Sequence, residues 1–520
     1  MKRLIVSVML VGLMNVVGCS SRDAGSPATA LPEDYLAGAT WTYSMDGGET
    51  WTDEPPFLET DGQIADVISR TTFEVDDVDN LAEVHLDAYL YRPESWATIN
   101  GTPIQGAYPE MIYPVIRGID PAILKVGENE LRITRTWAKY GDEKEQVPPT
   151  SARLVPLAAS DLAFRTGPVL GAFDEEQFSI TCRTNMVAKV LCFARPVDGG
   201  DTITIASSYG LLHEFVVPRE GNYEYMLEAK LDDALCKTDW LDAPDWNDVT
   251  DGSMRFVVCA DSQSENPAWG KLVEMMIAQE PDMFIMCGDM VSNGLDDAQW
   301  EAHFFDSARE LVAETPLYPV EGNHEMETPI LDDLFYTPAE RGRGLTWEQQ
   351  IGDVQFIAIN GLEDYSAGSE NYAWVEQVLE ESDAKFVFLL SHYPAWASGQ
   401  PASLEPQSDH TAYQARFALM PLLARYDGTA MVAGHWHVYE RSEPTEGVTS
   451  IVCGGGGGWL EKLAEGDPGN NPHVQGYAEE HHYLVFDVEG DTCTMQTISV
   501  DGEVLDTRTW EAREVTAETE

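Results

Sequence analysis

Five short polar motifs, in fixed order along the chain, carry the residue types of a metal centre. They are Asp261 in CADSQ, Asp289 in CGDM, Asn323 and His324 in EGNHE, His392 in LLSHYP, and His435 with His437 in AGHWH. Four of the five follow apolar, strand-like runs: MRFVVCA, PDMFIMCG, KFVFLLS and TAMVAG. Carboxylates, an amide and imidazoles at the ends of buried strands lose their water, which is costly unless something else binds them. A pair of metal ions would do so. Oxygen and imidazole donors suit hard and borderline cations, and the set needs no thiolate. Cys259, Cys287 and Cys453 end apolar runs and read as small core residues.

The set resembles the calcineurin-like metallophosphoesterases, and within them the purple acid phosphatase branch. GHWHVYERS (Gly434 to Ser442) is similar to that branch's GHxHxYER stretch, GNHE matches unchanged, and MPLLARYDG fits the helix before the last motif. The resemblance covers roughly residues 253–500. It implies two metal ions (Fe, Mn or Zn), with Asp289 bridging both. Asp261 and His437 would complete one ion's set, and Asn323, His392 and His435 the other's. His324 would stand beside the leaving group as proton donor, since imidazole titrates near working pH. His410 would be the branch's substrate-contacting histidine. Two cations roughly 3.5–4 Å apart clamp the attacking and leaving oxygens of an in-line displacement, and a metal lowers the pKa of bound water to about 7. The implied reaction is hydrolysis of a phosphomonoester by metal-bound hydroxide. A phosphodiesterase acting on a glycan, lipid or nucleotide linkage would use the same donors, and is the alternative. A catalytically weak, surface-binding lipoprotein is the second.

Two positions depart from the resembled pattern. The usual first motif is Asp-x-His, but its third position here is Gln263, whose amide oxygen could ligate and would favour Mn or Fe over Zn. The iron-binding, colour-giving tyrosine three residues past the bridging Asp is replaced by Ser292, so no purple chromophore is expected.

Composition sets the surroundings. Against 31 basic residues stand 89 acidic ones, a net charge of −58, which repels nucleic acid and anionic lipid and disfavours a polyanion-binding role. A phosphorylated small molecule or glycan must approach against this field, toward the metal ions. At the N-terminus, Lys2-Arg3 precede an apolar run from Leu4 to Val17, short of the ~20 residues of a membrane span. Val16-Val17-Gly18-Cys19 then resembles a bacterial lipobox, implying a lipid anchor on Cys19 and export to the outer membrane, cell surface or periplasm. Cys182 and Cys192 sit on two runs, ITCRT and VLCFAR, that could face each other in a hairpin and form a disulfide after export.

The elements that must position the motifs follow from periodicity. Strands and helices alternate from MRFVVCA to TAMVAG, which argues βα units with functional residues at strand carboxyl ends. YLVFDVEG and TMQTISVDGEVLDT read as an antiparallel pair closing this region, and GGGGG at 454–458 as a tight structural loop. Upstream, short alternating runs with turn signals, Asn100-Gly101 among them, read as β-sandwiches. The stretch around LKVGENELRI resembles galactose-binding-like jelly-rolls, and the next unit the fibronectin-III-like domain of purple acid phosphatases. The expected fold class is therefore multidomain: two N-terminal all-β sandwiches, then an α/β metallophosphoesterase domain that the resemblance implies is a four-layer α/β/β/α sandwich. The expected division is a signal peptide at 1–19, a linker at 20–33, sandwiches at 34–158 and 159–236, a linker at 237–252, the phosphoesterase domain at 253–510 and an acidic tail at 511–520. Oligomeric state is not legible.

Overall fold

The computed structural model describes residues 32–88, 96–104, 115–139, 144–264, 266–325, 328–338, 346–400, 410–443, 447–463 and 469–514. The expected signal peptide, Cys19 and nearly all of the first linker lie outside the described residues. Among the described residues, no helix is long and apolar enough to cross a membrane.

Two sheets face each other in the C-terminal half. One is ordered Leu317–Pro319, Met283–Met286, Ser253–Cys259, His482–Glu489, Thr492–Ser499, Val504–Glu511. The other is ordered Trp347–Ile351, Val354–Ala358, Phe386–Leu390, Ala430–Ala433, Thr449–Cys453, Tyr439–Ser442, Val474–Ala478. The first three strands of the first sheet run parallel, as do the four from Val354–Ala358 to Thr449–Cys453 in the second. Strands covered on both faces must be apolar on both. Phe256 and Val258 accordingly point into the space between the sheets, while Val257 and Cys259 point to the helices outside. In the other sheet Phe356 and Phe388 point inward, and Ile357, Val387 and Leu389 outward. The Phe256 ring lies 5.1 Å from Phe356, 5.5 Å from Phe388 and 4.6 Å from Phe486, which ties the two sheets at one point.

Helices close the outer faces. Pro267–Ile277 starts where the Asn266 side chain accepts the Ala268 N–H, with proline in the first turn. It buries Ala268, Trp269, Leu272, Val273 and Met276, one stripe of a 3.6-residue period. Glu370–Glu381 is capped by Ser369 and buries Trp374, Val375, Val378 and Leu379 against the second sheet. The layering is helix, sheet, sheet, helix, as the resemblance implied.

Upstream, a five-stranded and a three-stranded sheet enclose a separate core of Val75, Leu86, Ile99, Leu131, Ile133 and Leu154. Asn100 (φ 52°) and Gly101 (φ 78°) make the tight turn joining Trp96–Ile99 to Thr102–Ile104, where both positions need the left-handed region. The next unit is built on one 20-residue strand, Gln177–Pro196. Its first half pairs with Phe164–Phe173 and Gly210–Pro218, and its second half with Tyr223–Leu231 and Ile203–Ala206.

Three expectations are corrected. Cys182 and Cys192 lie on that single strand, not across a hairpin, and both are free, buried thiols. The closing antiparallel pair is a three-stranded meander, because Val504–Glu511 adds to Thr492–Ser499. The acidic tail does not begin at 511. The strand runs through Glu511, and the Arg513 guanidinium donates to the carbonyls of Ala384, Tyr426 and Ser382. Residues 515–520 lie outside the described residues.

Candidate metal centre

All five motifs sit just past the carboxyl ends of parallel strands. Four follow the strands read from the sequence; EGNHE follows Leu317–Pro319, a three-residue strand whose flanking prolines hid it. The two sheets present these ends side by side. Asp261, Asp289 and Asn323 come from one sheet, and His392, His435 and His437 from the other. Three of these residues turn sharply on leaving their strands: Asp261, Asp289 and His435 have φ of 61°, 56° and 73°. Non-glycine residues held in the left-handed region concentrate at functional sites, where the surrounding packing sustains the strain.

Donor atoms of Asp289, His392 and His435 lie within 4.8 Å of one another, and so do those of Asp261, Asp289 and His437. The two groups share Asp289 and nothing else. His392 Nε2 is 3.2 Å from Asp289 Oδ2 and 3.2 Å from Asn323 Oδ1, and His435 Nδ1 is 3.0 Å from Asn323 Oδ1. Exposed Asn323 therefore joins the first group. Gln263 joins the second: its amide nitrogen lies 2.8 Å from His437 Nε2, and flipping the amide would put the oxygen in that place.

The donor set fits two cations. Asp261 Oδ1 is buried without a hydrogen bond, and His437 Nε2 stands 3.3 Å from it. Two imidazoles are pinned through their far nitrogens. His392 Nδ1 is held 2.9 Å from the Cys287 carbonyl and His437 Nδ1 2.7 Å from that of Trp459, so each Nδ1–H donates outward and Nε2 faces the cluster. Such outer contacts fix the tautomer a metal ligand needs. Charge balance points the same way. Burial opposes charging His392 and His437, yet Asp289 lifts the former to about 10 and Asp261 the latter to about 9. Burial likewise opposes the Asp289 charge, but His392 and the His324 N–H hold its pKa down at about 2.

Glu325, last residue of EGNHE, has no counterpart in the sequence reading. It is fully buried, and its carboxylate accepts the N–H groups of Asp289 (2.9 Å), Met290 (2.7 Å) and Gly322 (2.7 Å). Burial and the Asp289 charge push its pKa up, against three donors that favour the ionised form. It ties the Asp289 turn to the loop carrying Asn323. An acid two residues past an amide donor was the available signal.

The five glycines at 454–458 are structural. The N–H of Gly456 donates to the Ala260 carbonyl (2.9 Å) and that of Gly458 to the Asp261 carbonyl (2.7 Å), so neither faces a ligand. A Cβ on Gly458 would lie 2.7 Å from the His437 ring, and one on Gly454 2.9 Å from Asp261 Oδ2. Tyr439 and Arg441 bond to Asp506, and Glu440 to Ser398 and Asn471, all as scaffold.

His324 lies beside the cluster, not in it. Its Nδ1 is 2.7 Å from the Ser292 carbonyl and its Nε2 3.9 Å from Asp289 Oδ2, with the side chain 40% exposed. Ser292 Oγ donates to the Gln263 carbonyl and offers no donor atom of its own to the cluster. His410 is exposed at the start of the helix His410–Gln414. It lies close enough to the Asp364 carboxyl to favour that group's charged form, and it belongs to neither donor group.

Residues 254–439 match the calcineurin-like phosphoesterase family. A probable purple acid phosphatase of Arabidopsis thaliana is 26% identical over 248 residues, 44% of this chain and 56% of that protein. A nucleotide pyrophosphatase/phosphodiesterase of Hordeum vulgare is 23% identical over 231 residues, 36% of this chain and 60% of that one. The chain thus spans about half the length of such relatives. The structure of a purple acid phosphatase from yellow lupin (Lupinus luteus) seeds superposes with a TM-score of 0.59 at 14% identity, covering 87% of this chain and 94% of that one, which shows a shared fold. Residues 254–439 therefore form a calcineurin-like phosphoesterase domain, and purple acid phosphatases are its homologues.

Proposed function

We propose that this chain hydrolyses phosphomonoesters through two metal ions. Asp289 would be shared between them; Asp261, His437 and Gln263 would hold one, and Asn323, His392 and His435 the other. The observation that carries this reading is the pair of donor groups meeting only at Asp289. When bound, the ions would supply charge neutralisation and an activated water.

The chain's own residues do the rest. With the ions bound, the Trp459 and Cys287 carbonyls would keep His437 and His392 oriented with Nε2 toward the metals. Glu325 keeps the Asp289 and Asn323 loops in register. His324 donates its Nδ1–H to the Ser292 carbonyl, so that in its imidazolium form the second proton, on Nε2, would be the one passed to the departing alkoxide. His410 would contact the substrate, a role supported only by the resemblance to the purple acid phosphatase branch.

Hydrolysis of p-nitrophenyl phosphate and bis-p-nitrophenyl phosphate by the Mn-, Fe- or Zn-loaded chain tests the proposal. Monoester turnover that falls by about 10²–10⁴ in His324→Ala supports it. No turnover of either ester with any metal refutes it. Preference for the diester would favour the phosphodiesterase reading, which the barley relative's name supports.

We further propose export with a lipid on Cys19, supported by Val16-Val17-Gly18-Cys19. Metabolic labelling with palmitate should mark the protein and be lost in Cys19→Ser; equal labelling of both would remove the anchor.

A further inference from the structure

A cavity of about 240 Å³ lies against the loop that carries His435 and His437. Its walls include Trp436, Val438, Leu463 and Tyr477, with Gly399 and Glu461 beside them. Three observations place it next to the metal centre. Trp436 stands in the chain between the two histidines, its ring 6.4 Å from that of His435. The Glu461 N–H donates to the His437 carbonyl at 3.1 Å. The Glu461 carboxyl is also near enough to His437 and Asp261 for both to act on it. The Trp436 ring packs directly on Gly399, where a Cβ would come within 2.2 Å of it.

Trp459 adjoins this region. Its carbonyl fixes His437, yet its side chain is 88% exposed, more than any other large hydrophobic residue described. A bare indole beside a reaction centre is a contact surface awaiting a partner, because such area is otherwise kept out of water.

We propose that this cavity is a subsite for an aromatic ring on the organic side of the phosphoester. The proposal rests on the hydrolase reading above and adds the substrate class to it. Size supports a single ring: pockets for whole drug-sized ligands run from about 300 Å³ upward. Wall chemistry supports an apolar, uncharged one. Glu440 has its oxygens taken up by Ser398 and Asn471, and the two acids among the lining residues, Glu440 and Glu461, outnumber the one cation, Lys462. A second phosphate or a carboxylate on the organic group has little to pair with there.

The test is equilibrium binding of phenylphosphonate and methylphosphonate to the metal-loaded full chain, followed by tryptophan fluorescence and calorimetry, beside turnover of p-nitrophenyl phosphate. Burying one ring should make phenylphosphonate bind about tenfold tighter or more. Leu463→Asp should bring the two affinities within about twofold while leaving methylphosphonate binding unchanged. Trp436→Ala should do the same, and Leu463→Asp keeps the test valid if that variant disturbs the neighbouring histidines. Equal affinities in the wild type, or a preference intact in both variants, overturns the subsite. Equal affinities with turnover present overturn the subsite alone, and ring preference without turnover overturns the hydrolase reading alone. Binding of neither phosphonate overturns both.

Discussion

Asp289 is the residue on which the centre depends. It is 2% exposed, sits at φ 56°, and is the one residue common to both donor groups. Its Oδ1 is already engaged by the His324 N–H at 2.9 Å, and its Oδ2 faces His392 and His324. Replacing it with Asn keeps the volume and the left-handed turn but removes the negative charge and one oxygen donor, so neither ion would retain its shared ligand. Bound metal, measured by atomic spectroscopy after gel filtration, should be two per chain in the wild type and one or fewer in Asp289→Asn. Two retained ions would show that Asp289 is not shared. The residue types here were open to reading because a site needing oxygen and imidazole donors draws on few side chains. Glu325 escaped because it touches no ligand: its role is to accept three backbone N–H groups, which only the folded loops reveal.

At the level of elements, the site is a set of strand ends held together by tight loops, and the glycine run at 454–458 is one of them. Gly458 is a clean probe. An added methyl would lie 2.7 Å from the His437 ring, while the strands behind it are untouched. Gly458→Ala should therefore weaken metal binding at the Asp261 and His437 side and lower turnover about tenfold or more, with the melting temperature within a few degrees of the wild type. A loss of fold with no separate effect on metal would contradict this. Continuous apolar runs made these strands legible: FVVCA (256–260) and FVFLL (386–390) are apolar at every position, as strands buried on both faces must be. Short or continuous pieces were harder. Leu317–Pro319 is three residues long and ends in proline, and Gln177–Pro196 carries two apolar runs that read as separate strands but form one. Period-two patterning gives a strand's faces but not which neighbour each half pairs with, and here one strand serves two partners on each half.

For the whole molecule, the notable fact is where a chain with 31 basic residues against 89 acidic ones places three of its arginines. Arg117 comes from the first β unit, Arg165 and Arg183 from the second, and all three converge on Asp297 at the head of a helical run in the phosphoesterase domain. Glu301 shares Arg165 and Arg183 with it. Three parts of the chain thus meet at one largely buried ion cluster, while the apolar core of the second β unit runs on into that of the two facing sheets. Burial alone would raise the Asp297 pKa, but the three guanidinium groups outweigh it and hold the carboxyl at about 2, below its ordinary 3.8. A depressed carboxylate pKa stabilises the fold at pH values above the unfolded-state value and loses that contribution as pH falls through the folded one. In Asp297→Asn, one buried and two partly buried guanidinium groups are left with Glu301, and breaking such a cluster costs about 3–5 kcal/mol. Urea unfolding at pH 7 should show a deficit of that order relative to the wild type. The gap should stay constant from pH 7 to about 5, then narrow as pH falls from about 4 toward 2, where the wild-type carboxyl takes up its proton. A gap that does not change over that range would mean that Asp297 contributes through packing rather than charge, and that the three units are joined by their shared core alone.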